Sequence, residues 1–393
     1  MTEPIELMEP MIPGESNTQL DDLVFDLVKE SSLLARQLNP TVQLSVGHLV
    51  RSMNCYYSNL IEGHDTQPWD IERALKDDYS DIPEKRDLQL EARAHIEVQK
   101  KIDECQDPKV YPATIEYVQW LHKTFCDLLP EEMLWVKDPK TEKKIQVIPG
   151  AIRDTDVHVG SHLAPHPVNL NSFLVRFEEA YNPEKLSKMR RIISTACAHH
   201  RFLWIHPFLD GNGRVARLMS YAMFMREEVG SSMWSIARGL ARNHAEYKAL
   251  LMAADNQKQN DYDGRGTLSE KALVNFCKFF LETCVDQVRY MDSILKPEEL
   301  DKRIKTYTEN EITLGHLLKG SYPILREALL IGEIERGKAS ELTGYKERQA
   351  RTVVSQLLDN GLLVSDTPKG RLRLGFPIKA VEVWFPALYP NTI

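Results

Sequence analysis

The sequence predicts a mainly α-helical chain with a small β-hairpin in its middle and an α+β module at its C-terminal end. Three observations carry that reading. Apolar residues recur at three- and four-residue steps over most of the chain, as in Leu20, Leu23, Val24, Leu27, Val28, Leu34 and Leu38. Before residue 320, strand-like alternation is confined to residues 143–160. Beyond residue 320 a short helical run, a glycine turn, a second helical run and two short strand-like segments follow in that order.

Taken in order, residues 1–15 are rich in Pro and Gly and weakly periodic, which predicts a loose arm. From Ser16 the pattern is helical until Asn39-Pro40 stops it. A second helix is expected over residues 42–61, ended by Gly63, and further helices over 86–104, 112–129, 170–181 and 185–204. Ile145, Val147, Ile152, Val157 and Val159 alternate about Pro149-Gly150, which predicts a hairpin turning there. After residue 211 the chain reads as helical to about 255. A polar, Gly-containing loop at 256–266 precedes a long helix whose apolar side carries Leu268, Leu273, Phe276, Phe279, Phe280 and Leu281. Residues 301–375 hold 13 Lys/Arg against 10 Asp/Glu, net +3, so the remainder of a chain with net charge −8 carries −11. That shift marks a domain boundary near 320.

Composition excludes several classes. At 393 residues, with 42% hydrophobic and 27% charged residues, the chain has room for two or three domains and is not disordered. It has no apolar run near the roughly 18 residues that span a bilayer, so no membrane is expected. The start, Met1-Thr2-Glu3-Pro4-Ile5-Glu6, is acidic and Pro-broken, unlike a secretory signal. Six cysteines without a C-x-x-C pair argue against a disulfide framework or a structural zinc site, and a reducing cytoplasm is the expected location.

The stretch richest in chemistry is Ile205-His206-Pro207-Phe208-Leu209-Asp210-Gly211-Asn212-Gly213-Arg214-Val215-Ala216-Arg217. His206 ends an apolar helical run. Gly211-Asn212-Gly213 is a turn whose amides are exposed at the start of a new helix, where the donors and the helix dipole both favour an anion. Arg214 and Arg217, three apart, extend that site towards a polyphosphate. Asp210 would repel phosphate unless it holds Mg²⁺, a hard cation that bridges phosphates. His206, with an ordinary pKa of about 6.5, can accept a hydroxyl proton at neutral pH. Each piece alone is commonplace: a packed histidine, a helix-start turn, a solvated arginine pair. Their adjacency within one turn and one helix start points to transfer of a phosphorus-centred group to a hydroxyl.

Residues 206–217 match every fixed position of H-x-F-x-D-G-N-G-R-x-x-R, and the chain thereby resembles the Fic-domain proteins. Gly150-x-Ile152-Arg153 followed by Val157, His158, Val159 and Gly160 resembles that family's target-docking flap. The resemblance implies a helical Fic core that moves AMP from ATP to a Ser, Thr or Tyr of a target protein. His206 would be the base and Asp210 the Mg²⁺ ligand. Gly211, Asn212 and Gly213 would cradle phosphates, Arg214 and Arg217 would hold the β- and γ-phosphates, and Tyr247 would contact adenosine. Ser58-Asn59-Leu60-Ile61-Glu62-Gly63 resembles the family's inhibitory motif, S/T-x-x-x-E-G/N. Glu62 would then pair with Arg217, with Ser58 on the same helical face. Removal of AMP through the same glutamate, self-modification and a homodimer are further implications. His199-His200 and Cys197 are expected to pack rather than bind metal or react.

At the C-terminal end, residues 338–373 resemble a winged helix-turn-helix. Lys346, Arg348, Gln349 and Arg351 would lie on its recognition helix, and Lys369, Arg371 and Arg373 on its wing, placed for DNA or for protein contacts alone. The expected organisation is an N-terminal helical region with the inhibitory helix (1–110), the Fic core (111–290), a linker helix (291–319) and the winged-helix domain (320–393). The other reading is a transcriptional regulator whose Fic core senses nucleotide.

Overall fold

A computed structural model describes residues 3–15, 17–138, 142–160 and 162–390. The chain is mainly helical, with α1 over Thr18–Leu34, α2 over Pro40–Ile61, α3 over Pro68–Ala74, α4 over Pro83–Asp103 and α5 over Ile115–Cys126. Asn17, Asn39 and Thr114 accept backbone N–H groups at the starts of α1, α2 and α5, and Pro40 occupies the first turn of α2, where its missing N–H costs nothing.

Two short antiparallel hairpins follow, β1 (Trp135–Lys137) with β2 (Lys144–Gln146), and β3 (His158–Val159) with β4 (His162–Leu163). This corrects the single hairpin expected about Pro149-Gly150. That turn is captured by α5 instead: the Gly150 amide donates to His122 Nδ1 at 2.9 Å, and Gln119 donates to the Gly150 carbonyl at 2.9 Å. With its turn bonded to a helix, the segment after Gly150 runs back towards residues 205–207 rather than along a partner strand.

The centre of the molecule is α6 (Leu170–Ala180), α7 (Lys188–Ile205) and α8 (Asn212–Arg226). α7 and α8 pack against each other, and most of their residues are buried, 13 of 18 in α7 and 12 of 15 in α8. α9 (Ala237–Arg242), α10 (His244–Ala254) and α11 (Glu270–Leu295) complete the body, with α11 packed along α1 and α7. The stretch expected to be helical from 211 to about 255 is divided among α8, α9 and α10. The Gly230 amide returns to the Phe224 carbonyl at 2.8 Å, and Glu228 takes a left-handed conformation with φ 59°, which ends α8.

The N-terminal arm is not loose. Met8 and Met11 are buried, and fully buried Arg201 of α7 donates to the Pro10 carbonyl at 2.8 and 3.2 Å. Arg176 pairs with Glu9, and Tyr181 donates to the Met11 carbonyl at 2.9 Å. Composition alone hid this, because the partners of the arm lie on helices 160 or more residues away.

The chain continues with α12 (Pro297–Thr313), α13 (Ser321–Ile331), α14 (Ala339–Thr343) and α15 (Glu347–Asp359). The antiparallel pair β5 (Leu363–Val364) and β6 (Arg373–Leu374) follows, and α16 (Ile378–Trp384) comes last. Ile334 bridges Leu372 beside that pair. This end of the chain folds back on the beginning: β6 lies on α2, α16 packs on α3 and α12, and Tyr57 of α2 donates to the Leu388 carbonyl at 2.9 Å. Among the described residues, no helix is long and apolar enough to cross a membrane.

Candidate active site

Residues 206–217 form the α7–α8 connection and the start of α8. α7 ends because His206 adopts a left-handed conformation (φ 50°, ψ 60°), and Gly211 does the same at φ 76° just before α8. The loop between them is clamped by a side chain. Asn212 Oδ1 accepts from the Phe208 amide at 3.0 Å, and its Nδ2 donates to the Phe208 carbonyl at 2.8 Å. Asn212 therefore builds the loop through its side chain, while its amide lies in the first turn of α8.

His206 Nδ1 lies 3.3 Å from the Leu203 carbonyl, an acceptor only, so the ring proton sits on Nδ1 and Nε2 keeps its lone pair. Burial lowers the pKa of the ring to about 4, so it is neutral at physiological pH. Its backbone is held from the flap side. Arg153, 3% exposed, donates to the carbonyls of His206, Thr155 and Pro165, each at 2.7 Å, and the Arg153 amide donates to the Pro207 carbonyl at 2.9 Å. Desolvation lowers the Arg153 pKa to about 10, still fully charged at neutral pH. The sequence offered no role for this arginine beyond its place in the flap pattern. Its buried position between two loops is visible only in three dimensions.

His122 was also missed. It is 1% exposed, stacks on Phe208 with ring centroids 4.0 Å apart, and takes the Gly150 amide. It therefore joins α5, the flap base and the α7–α8 loop. Beyond Arg153 the flap is exposed at His158, Val159 and Gly160, partly so at Val157, and its β4 residue His162 contacts the Trp204 carbonyl at 2.8 Å.

Asp210 is exposed at the mouth of α8, with Oδ1 accepting from the Gly211 amide at 2.7 Å. Arg214 and Arg217 are 5% and 4% exposed, each engaged by residues from before the core. Arg217 Nε donates to Ser58 Oγ at 2.9 Å, and its Nη2 donates to the Ser58 carbonyl at 3.2 Å and to Glu62 Oε1 at 2.5 Å. A β-carbon at Gly213 would collide with the Glu62 carboxylate, so that carboxylate lies directly on the amide turn. Burial alone would raise the Glu62 pKa, but the Arg217 and Arg214 guanidiniums outweigh it and hold the carboxyl below its ordinary range. Arg214 Nη2 bonds Glu91 Oε1 of α4 at 2.5 Å, and His64 Nδ1 bonds the other Glu91 oxygen at 2.6 Å. Glu91 and His64 carry no motif and could not be found in the sequence.

Tyr247 is buried. Ser220 Oγ donates to the Ala216 carbonyl (2.8 Å), so it accepts from His199 Nδ1 (2.9 Å), and His199 Nε2 accepts from the Tyr247 hydroxyl (2.7 Å). His199 and Tyr247 thus brace α8 from behind. His200 contacts the Leu251 carbonyl and Asp255. No cluster of three or more His, Cys, Asp or Glu side chains able to hold a metal occurs among the described residues.

Residues 112–224 match the Fic/DOC family. The chain is 40% identical over 77 residues to the protein adenylyltransferase Fic of Drosophila grimshawi, covering 20% of this chain and 16% of that protein. It is 33% identical over 144 residues to the protein adenylyltransferase Fic of Drosophila mojavensis, covering 35% and 27%. The matches therefore span only a sixth to about a quarter of those relatives. A Fic family protein from Desulfovibrio desulfuricans G20 shares the fold with a TM-score of 0.52 at 14% identity, over 93% of this chain and 98% of its own. A Fic domain containing signaling protein from Bacteroides thetaiotaomicron does so with a TM-score of 0.52 at 19% identity, over 68% and 95%. Residues 112–224 are a Fic domain.

Proposed function

We propose that this protein is an adenylyltransferase that moves AMP from Mg·ATP to a Ser, Thr or Tyr hydroxyl of a target protein, and that Glu62 holds it in check. The observation that carries the reading is the place of the Glu62 carboxylate. It rests on the Gly213 turn and on Arg217, an anion lying where amides and guanidinium favour anions. A triphosphate reaching the same cradle has to displace it. The proteins named adenylyltransferase among the relatives support the choice of transferred group.

In this mechanism the Gly211–Gly213 turn and the two arginines fix the phosphates, and the target segment lies along the exposed flap. His206 Nε2 takes the proton of the attacking hydroxyl. The oxygen forms its bond to the α-phosphorus, pyrophosphate departs, and the proton remains on the imidazole. Asp210 fits Mg²⁺, because it offers a solvent-facing hard oxygen beside a phosphate cradle and Mg²⁺ is commonly held by one or two carboxylates plus substrate phosphates. When bound there, the ion would offset phosphate charge. The same Glu62 carboxylate could position water for removal of AMP.

The test is transfer of label from α-labelled ATP to lysate proteins and to the chain itself, followed by mass spectrometry of the acceptor. Incorporation by the Glu62→Gly protein that disappears in Glu62→Gly/His206→Ala supports the reading. A Glu62→Gly protein that binds Mg·ATP yet transfers no AMP overturns it.

The second reading, a winged-helix module that recognises DNA, rests on the start of α15, where Lys346, Arg348, Gln349 and Arg351 are exposed after the Gly344 turn. The wing favours it less. Arg371 pairs with Glu333 and Glu335, and Arg373 pairs with Glu333 and Asp366. Duplex binding lost on Arg348→Ala/Gln349→Ala and retained in His206→Ala would support a DNA role.

A further inference from the structure

We propose that Glu91 is a positioning residue that presents Arg214 to the phosphates of the nucleotide. The inference rests on the phosphate reading of the α8 cradle given above. Glu91 lies on α4, outside the Fic signature, and is 7% exposed. It is held from two sides: Oε1 takes Arg214 Nη2 at 2.5 Å, and Oε2 takes His64 Nδ1 at 2.6 Å.

Arg214 is a buried cation, and a buried cation without a counter-charge moves towards water. Phe125, whose ring centroid is 5.3 Å from the guanidinium carbon, offers an aromatic face but no carboxylate. Glu91 is the carboxylate that keeps the guanidinium at the head of α8. It does so without using the whole group. The contact is made through Nη2, while Nε is buried with no hydrogen-bond partner. An orphaned buried donor is costly, and it is expected where a ligand supplies the missing acceptor. A cavity of about 30 Å³ whose lining includes Glu91, Asp210, Gly211 and Arg214, with an apolar wall formed by residues such as Phe125 and Leu129, lies beside this guanidinium.

The two arginines therefore differ. Glu62 sits on the cradle itself and competes with a phosphate, whereas Glu91 engages Arg214 from the α4 side and leaves donor capacity over. Glu91 is bound in the resting and the nucleotide-loaded protein alike, so its loss weakens binding rather than relieving inhibition.

The experiment measures Mg·ATP and AMP affinity by calorimetry in Glu62→Gly/His206→Ala protein, which cannot turn over, with Arg214→Ala, Glu91→Ala or Glu91→Gln added. Thermal unfolding checks that each is folded. Glu91→Ala should weaken ATP about tenfold, as Arg214→Ala does, and leave AMP unchanged, because lost orientation of one charged contact is worth on the order of a factor of ten. Glu91→Gln keeps an acceptor oxygen and should fall between parent and alanine. If Glu91→Ala does not fold, the glutamine variant carries the test by its ATP loss against its unchanged AMP affinity. If Arg214→Ala weakens ATP while the Glu91 variants leave it unchanged or tighten it, the proposal is wrong. If Arg214→Ala itself has no effect, the phosphate reading falls and the proposal falls with it.

Discussion

Replacing Glu62 by glycine takes the carboxylate off the α8 turn and leaves Arg217 to Ser58. A hydrogen bond between charged groups contributes about 1.5–3 kcal/mol. Glu62 is 32% exposed and its partner 3%, so solvent screens the Coulomb part and favours the lower half of that range. If ATP has to break this contact to bind, its removal should lower the barrier measured from free enzyme by about 1.5–2 kcal/mol, which is roughly 10- to 30-fold in kcat/KM. The assay is the initial rate of AMP incorporation into a fixed acceptor, with Mg·ATP below KM. Glu62→Gln keeps the size and an acceptor oxygen but loses the charge, so it should lie between parent and glycine. The reasoning is refuted if both variants bind Mg·ATP no more tightly and react no faster than the parent while His206→Ala still abolishes the parental rate. A carboxylate resting on the cradle could not then be what limits the enzyme.

In the Glu62→Gly background, His206→Ala should lower kcat by about 10²- to 10⁴-fold with little change in ATP affinity, read from single-turnover labelling and calorimetry. Because the His206 pKa is lowered to about 4, its neutral basic form is fully present at neutral pH and is lost only as pH falls through that value. The rate should therefore show no His206 titration between pH 6 and 8. Arg153→Met removes the charged donor to the carbonyls of His206, Thr155, Pro165 and Ile205 and should destabilise the fold by on the order of 3 kcal/mol in urea unfolding, lowering kcat more than it raises KM for ATP. His95 and His199 are both fully buried, with pKa lowered to about 3 by desolvation. Below about 6.5 the unfolded chain takes up protons that the native one refuses, so stability is lost as pH falls from 6.5 towards 3. Going from pH 7 to 5, each should cost about 2 kcal/mol in chemical unfolding, and His199→Gln should flatten that slope.

The helical body was legible because 3.6-residue periodicity and stop signals are local. Asn39-Pro40 and Gly63 bracketed α2 correctly, and the observed helix runs Pro40–Ile61. The α7–α8 signature was legible for the same reason, since its residues lie side by side in the chain. What failed was long-range. The N-terminal arm is packed because Arg201, Tyr181 and Arg176 reach it from elsewhere. Pro149-Gly150 turns onto α5 instead of making a strand turn, because Gln119 and His122 capture its backbone. Ser58 had been expected only to share a face with Glu62, yet it bonds Arg217 directly. Arg153, Glu91 and His64 matter through partners 27 to 150 residues distant, a relation that no spacing rule along one chain encodes.

If Glu62 inhibits as proposed, the contacts of Ser58 decide what its release requires. Ser58 is fully buried in α2 and cannot turn away without moving the helix, which is fixed along its length. Arg51 pairs with Asp103 at 2.6 Å, Tyr57 holds the Leu388 carbonyl, and Asn54 bonds Gln99 at 2.6 Å. If Ser58 competed with the nucleotide, activation would demand displacement of α2 and disruption of its packing on α4 and on the C-terminal end. Ser58 instead engages Nε and one Nη2 hydrogen of Arg217, so the Nη2 hydrogen now given to Glu62 is the one that passes to a phosphate when that carboxylate leaves. Glu62 alone lies on the Gly213 turn, at the exposed end of the helix, where a change of side-chain rotamer clears the cradle. On the proposed reading, inhibition is separable from the fold: the helix stays and aims the arginine, and only the last carboxylate has to leave. A single substitution at residue 62 should therefore activate the protein with α2 still in place, at a cost in stability of about the 1.5–2 kcal/mol of the lost Glu62–Arg217 contact.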